Sequence, residues 1–261
     1  MKKILLFVAL ILFSISSFAQ DKLYLIFEMM KVDNEQEMAY WETENFWEKI
    51  HQQRANNGDI IGWDLWQLLP GGSDQGYQYM TVTLFNNASD MFKGVDIMKY
   101  VKAAYPDMTE EDILKKLNEA GKTRDLSVRL FLEDIASTSG ANEMPIGTTA
   151  YLDFMKADMD KYDTYEKAEM EVFKPIHQKH VDTGDKKFWS LMRIMLPIGS
   201  DTYASHITVN MYKDVDAAIN QPGGNWGDMT DVQRKAIQDG LKTRDFKKGI
   251  MAILIKKARK N

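Results

Sequence analysis

The amino-acid sequence predicts an α+β fold in which two copies of one βαββαβ unit follow each other in a single chain. Three observations carry that expectation. Residue matches recur in order at a nearly fixed spacing, strand and helix patterns succeed each other identically in both halves, and apolar residues suffice for a large core without disulfides.

At a shift of 127 positions, Tyr24-Leu25-x-Phe27 falls on Tyr151-Leu152-x-Phe154. At 126, Ile50-His51-Gln52 falls on Ile176-His177-Gln178, Gly58-Asp59 on Gly184-Asp185, Trp63 on Trp189 and Leu65 on Leu191. At 127 again, Gly72-Ser73-Asp74 meets Gly199-Ser200-Asp201, and Thr81-Val82 meets Thr208-Val209. At 120, Lys122-Thr123-Arg124-Asp125 meets Lys242-Thr243-Arg244-Asp245. Chance supplies one tetrapeptide, not a series in one order. The chain therefore reads as a duplication, with units over 20–136 and 148–261 joined by a segment of linker composition over 137–147.

The elements can be justified in chain order. Lys2 and Lys3, the apolar run from Ile4 to Phe13 and the tail ending Ser17-Phe18-Ala19 have the layout of a cleavable signal peptide over 1–19, which implies export. The apolar run is short for a membrane span, which needs roughly 20 residues. Leu23 to Val32 is rich in aromatic and branched residues and reads as a strand. Glu35 to Asn57 has helical spacing, with Ala39, Phe46 and Ile50 on one face and Gly58 suited to the left-handed position that ends a helix. Ile60 to Leu69 and Tyr77 to Phe85 alternate as strands around a turn at Pro70-Gly71-Gly72-Ser73-Asp74. Thr109 caps a helix running to Ala120, and Leu126 to Ile135 forms the closing strand. The second half follows the same plan, except that Pro175 stands where the first has Lys49, which predicts a kink in its long helix.

Composition narrows the function classes. The chain has no Cys, so an exported protein of this sequence relies on burial, for which 44% hydrophobic residues are adequate. Its net charge is −5, or −7 without residues 1–19, which argues against nucleic acid or an anionic membrane surface as partner. The sequence contains no Gly-x-Ser-x-Gly, no His-Glu-x-x-His and no paired-carboxylate signature.

A βαββαβ unit has ferredoxin-like order, and two fused units resemble the dimeric α+β barrel superfamily, to which antibiotic-biosynthesis monooxygenase-like and NIPSNAP-like proteins belong. The resemblance rests on element order and duplication and covers nearly all of the chain after residue 19. It implies two sheets that face each other around a cavity. It also implies the chemistry of some relatives, a cofactor-free oxygenase or a haem-handling enzyme, as one reading. The others are a small-molecule binder without catalysis and a non-catalytic envelope protein whose faces serve association. Fold alone does not choose among them.

Strand alternation suggests where a ligand would sit. Met80, Val82 and Leu84, matched by Ile207, Val209 and Met211, form an aliphatic face expected to pack on helices. Tyr79, Thr81, Thr83 and Phe85, matched by His206, Thr208, Asn210 and Tyr212, form a mixed face, as do Tyr24, Ile26 and Glu28 with Tyr151, Asp153 and Met155. Those mixed faces are expected to line a semi-polar barrel interior, the composition of a small-molecule pocket. The candidate ligand-binding residues are thus His51, His177, Tyr24, Tyr151, Tyr79, His206, Arg124 and Arg244, with the ligand and any cofactor unassigned. His51 and His177 serve either as proton shuttles or ligands in the cavity or as caps of a helix end. His177-x-x-His180 has ligand spacing, but Arg54 replaces His180 in the first half, so no metal site is expected. Arg124 and Arg244 either hold an anionic group or pair with a carboxylate, such as Asp125, Asp245 or an acid of the other half.

Overall fold

The structure, a computed structural model, describes residues 22–140, 144–221 and 229–261. The leader expected over 1–19, part of the junction and the Gly-rich stretch from Pro222 lie outside the described residues. In the first half, β1 (Tyr24–Lys31) leads through a short 3-10 turn into α1 (Glu37–Asn57), then β2 (Gly62–Leu69) and β3 (Tyr79–Phe85). Two helices follow, α2 (Ile97–Ala104) and α3 (Glu110–Ala120), before β4 (Asp125–Ser137). The second half runs β5 (Thr149–Lys156), α4 (Tyr162–Ala168), a π-turn (Glu169–Phe173), α5 (Lys174–Asp182), β6 (Phe188–Leu196), β7 (His206–Tyr212), α6 (Val215–Ile219), α7 (Asp231–Leu241) and β8 (Asp245–Arg259). The α2 helix was not foreseen from sequence.

Among the described residues, eight strands close into one barrel in the order β1-β3-β2-β8-β5-β7-β6-β4. Each half contributes the same run, β4-β1-β3-β2 and β8-β5-β7-β6, so the molecule is two fused ferredoxin-like units forming an α+β barrel. The halves meet at two antiparallel seams, β2 against β8 and β4 against β6. Register shifts at Leu65/Trp66 and Asp134/Ala136 fall in these seams, where bulges add the bend that closure requires. Local chemistry sets the helix ends as expected. Gly58 takes φ +81° and donates to the last carbonyls of α1, and Thr109 Oγ1 accepts from Asp112 N at 3.1 Å.

The second long helix departs from a simple kink. Tyr40 and Glu44 correspond to Tyr165 and Glu169 at a shift of 125, whereas His51 corresponds to His177 at 126. The π-turn between Glu169 and Phe173 absorbs that one extra residue, and Pro175 sits just beyond it in the first turn of α5, where its missing N–H costs nothing. Phe173 is consequently pushed toward α7. Its Cε2 would lie 2.8 Å from a Cβ at Gly240, which stands where the first half has Ala120.

The two sheet faces are inverted relative to expectation. The main apolar cluster draws Leu25, Phe27, Trp66, Met80, Val82, Leu132, Leu152, Ile207, Val209 and Leu254 from strands of both halves and contains no helical residue. Met80, Val82, Ile207 and Val209 are therefore buried inside the barrel, not against helices, with Leu84 and Met211 packed beside them. The mixed face lies under the helices instead, where Tyr79, Phe85, Trp63 and Leu65 pack with Tyr40 and Ala55 of α1. In the second half Trp189 and Leu191 pack with Tyr165 of α4. The interior is mainly apolar, with aliphatic, aromatic and thioether side chains, rather than the mixed face expected. The polar groups went where helix side chains could pair with them, since a buried polar atom without a partner costs several kcal/mol.

Candidate functional site

Inside the barrel, at the end where β1, β5 and β6 begin, lies a cavity of about 280 Å³ lined by residues from every strand. Its wall is apolar: Leu25 and Phe27, Trp66, Met80 and Val82, Ala150 and Leu152, Met192, Val209 and Met211. Its polar groups are Asp64, Asp134, Ser190, Lys187 and Arg259. Asp64 and Ser190 occupy equivalent positions of β2 and β6, and each makes a polar contact across its seam on the cavity side. At one seam Arg259 Nη2 donates to Asp64 Oδ2 at 2.9 Å; at the other, Ser190 Oγ donates to Asp134 Oδ1 at 2.9 Å. Burial pushes both carboxyls above the usual carboxylate range, against the opposing pull of Arg259 and Ser190 respectively. Asp64 Oδ1 is buried and accepts no hydrogen bond, although Arg259 Nη2 lies 2.8 Å away.

None of the eight residues singled out from sequence lines this cavity. They stand in the layer between sheet and helices, in matched pairs. His51 stacks on Trp63 with ring centroids 4.9 Å apart, and His177 stacks on Trp189 at 5.0 Å. His51 Nδ1 lies 3.2 Å from Arg54 Nη1, and His177 Nδ1 accepts from Lys186 Nζ at 2.9 Å. Burial, reinforced by those cations, holds His51 well below the usual histidine range and His177 at about 3. Both rings are neutral at pH 7, so neither supplies the positive charge that capping a helix end would use.

The repeated arginines do pair with carboxylates, but with Glu44 and Glu169 of the long helices, not with Asp125 or Asp245. Arg124 Nη1 donates to Glu44, and Arg244 Nη2 lies 3.4 Å from Glu169 Oε1. Arg124 stands over Tyr40 and Arg244 over Tyr165, each 5.8 Å from the ring centroid. Burial dominates both acids and pushes each up to about 7, with the arginine opposing it. Tyr79 donates its hydroxyl to Glu37, and Tyr151 meets the Tyr212 ring edge-on at 6.2 Å. Tyr24 packs half-buried on the helix side of β1. His206 is fully buried, its Nε2 donating to Glu166 Oε1 and its Nδ1 accepting from Ser205 Oγ, both at 2.9 Å. Arg193 also clamps Glu166 through Nε at 2.6 Å and Nη2 at 2.5 Å. Sequence reasoning missed Asp64, Asp134 and Arg259, whose signal was a charge at an inward position of otherwise apolar strands.

The cavity wall offers thioethers and no histidine, and both nitrogens of His206 are already committed. Among the described residues, no group of three or more His, Asp or Glu could hold a metal ion, and no helix is long and apolar enough to cross a membrane.

No family model and no curated protein matches the chain. Solved structures do match along nearly its whole length. A candidate monooxygenase from Lactobacillus acidophilus superposes with a TM-score of 0.56 at 8% identity, covering 93% of this chain and 98% of its own. A candidate monooxygenase from Fusobacterium nucleatum gives 0.55 at 12% identity, covering 92% and 95%. An anthrone oxidase-like protein gives 0.56 at 11% identity, covering 92% and 93%. At such identities the likeness establishes architecture alone, and the chain is similar to these proteins in being an α+β barrel of two ferredoxin-like units.

Proposed function

We propose that this protein is an exported binding protein whose barrel takes up a small, mostly apolar molecule with one polar end. The observation that carries the reading is the cavity of about 280 Å³, apolar along its wall and, among the described residues, polar at Asp64, Asp134, Ser190, Lys187 and Arg259. That composition orients a ligand, because the apolar body is driven inward while its polar end can pair only at the seams. The volume lies near the low end of the roughly 300–1,000 Å³ that small-molecule pockets span, which favours a ligand of modest size. Export follows from the leader features of residues 1–19, with Gln20 as the mature N-terminus, and the internal matches support an origin by duplication.

The test is calorimetric titration with medium-chain carboxylic acids and the matching alcohols, read in parallel by the fluorescence of Trp66 in the wall. Binding is expected in the native protein and should be abolished in Ala150→Phe, which fills the cavity. Retention of binding by that variant, or no binding by any member of the series, rejects the barrel as the site. Purified protein is also expected to lack a Soret band after incubation with haemin. N-terminal sequencing of material from the culture medium or envelope fraction tests the cleavage point.

A further inference from the structure

The two halves share a fold but part chemically at one place beneath α5. Asp153, Lys186, Asn210 and Tyr212 stand where the first half has Ile26, Ile60, Thr83 and Phe85. All four second-half residues belong to the layer between sheet and helix, and together they build a polar cluster around a nearly buried amine. Lys186 is 6% exposed. Its Nζ donates to Asn210 Oδ1 at 2.6 Å and to His177 Nδ1 at 2.9 Å, and it lies 5.5 Å from the centre of the Tyr212 ring. Asn210 Nδ2 in turn donates to Asp153 Oδ2 at 3.0 Å.

This cluster borders its own cavity of about 180 Å³, formed by His177, Lys186 and Tyr212 with His180, Asp185 and Gln221 at its edge. A larger cleft of about 500 Å³ between α5 and α7 shares Ile176, His180 and Asp185 with it. In the first half α2 covers the corresponding face, with Tyr100 and Val101 packed on Phe46 and Ile50 of α1.

An amine in such surroundings is a better nucleophile than a surface lysine. Burial lowers it to about 8, with the charge of Asp153 on β5 opposing that fall. The other groups facing it leave the balance intact. Burial raises the Asp153 carboxyl to about 6 despite Lys186 and Arg244, and His177 on α5 is neutral. His180 and Asp185 pair with each other at 3.4 Å toward the cavity mouth. Desolvated lysines with a substantial neutral fraction near pH 7 are the ones that form Schiff bases.

We propose that Lys186 is the nucleophile of a second site, beneath α5, that captures a small aldehyde or ketone as an imine. The neutral Nζ adds its lone pair to the carbonyl carbon, and the carbonyl oxygen takes up a proton to give a carbinolamine. The C–O bond then breaks as that hydroxyl leaves with a proton as water, and the C=N bond forms. One carbonyl compound and one amine yield one imine and one water, with no oxidant or reductant. The neutral imidazole and the Asn210 amide hold the amine in place, while the cavity limits the carbonyl compound to a few heavy atoms.

The experiment uses the full chain with equimolar propanal and sodium cyanoborohydride, which reduces the imine to a stable amine, followed by mass spectrometry and peptide mapping. At pH 7 Lys186 should react about two orders of magnitude faster than a surface lysine, because far more of it is neutral. The expected result is one adduct at Lys186, absent in Lys186→Met, retained in Lys187→Met, and forming with a pH midpoint near 8. The mapping is done on the native protein, so a poorly folding variant does not weaken it. Adducts spread over surface lysines with Lys186 unmodified would overturn the proposal, as would a midpoint above 10. Ala150→Phe should leave the adduct unchanged, which separates this site from the barrel cavity.

Discussion

Replacing Arg244 by Ala should destabilise the protein strongly at pH 8 and weakly at pH 5. Arg244 and Glu169 form a buried pair, 9% and 3% exposed at their side chains. The Glu169 carboxyl sits at about 7 in the folded protein against an unfolded value near 4.5. An acid raised by folding contributes stability that is complete below its unfolded value and is lost as pH rises through its folded value. Here that window runs from about 4.5 to 7, and the difference corresponds to about 3 kcal/mol. Removing Arg244 removes the attraction that opposes burial, so at pH 8 an ionised Glu169 is stranded at a cost of about 3–5 kcal/mol. At pH 5 the acid is already protonated, so no charge is stranded. Only the guanidinium packing over Phe173, at 4.7 Å, and over Tyr165 is then lost, about 1 kcal/mol. For a chain of this size each kcal/mol moves Tm by roughly 2–4 °C, so the fall at pH 8 should be about 6–20 °C. Thermal unfolding followed by circular dichroism at the two pH values is the assay. Glu169→Gln combined with Arg244→Ala should recover most of the pH 8 loss. Equal losses at pH 5 and pH 8, or less than about 1 kcal/mol at pH 8, would refute the account of a stranded carboxylate.

Two further outcomes follow from the geometry. Glu166 is held at about 2, against burial, by hydrogen bonds from His206 and Arg193, so its contribution is present above its unfolded value and lost as pH falls. Glu166→Gln should therefore flatten the decline in stability below pH 4, and an unchanged acid limb in urea melts would count against the clamp. Gly62 allows β8 to approach, since a Cβ there would meet Arg259 Nη1 at 2.4 Å and the Ala258 carbonyl at 2.8 Å. Gly62→Ala should cost about 1–3 kcal/mol through overpacking and weaken binding in the barrel by dislodging Arg259 from Asp64, whereas an unaltered urea midpoint would show that the seam has slack.

The architecture was legible because the same element order occurs twice along the chain and alternation marks two faces on each strand. What alternation cannot say is which face turns inward. In an open sheet the mixed face goes to water, and in a closed barrel with helices outside neither face does. The deciding fact was pairing. Tyr79 finds Glu37 and His206 finds Glu166, both from helices. Arg124 and Arg244 were singled out by repetition, but their partners lie 80 and 75 residues away on α1 and the π-turn, beyond any local pattern. Lys186 is illegible for the opposite reason. It departs from the repeat, standing where the first half has Ile60, and repeated residues carry no signal at positions where the halves differ.

The seams between β2 and β8 and between β4 and β6 have a consequence for how such a chain can change. A single half would present two bare strand edges, each a template for another chain, and could complete a barrel only by recruiting a second copy of itself. Covalent fusion makes that closure intramolecular and independent of protein concentration. It also frees the halves from identity. In a dimer of identical chains, every substitution appears twice, and a buried lysine gained under one helix would have to be tolerated under the other. In the fused chain, Asp153, Lys186 and Tyr212 could arise on one side while Ile26, Ile60 and Phe85 kept the other side apolar, so one half can acquire new chemistry while its twin preserves the packing.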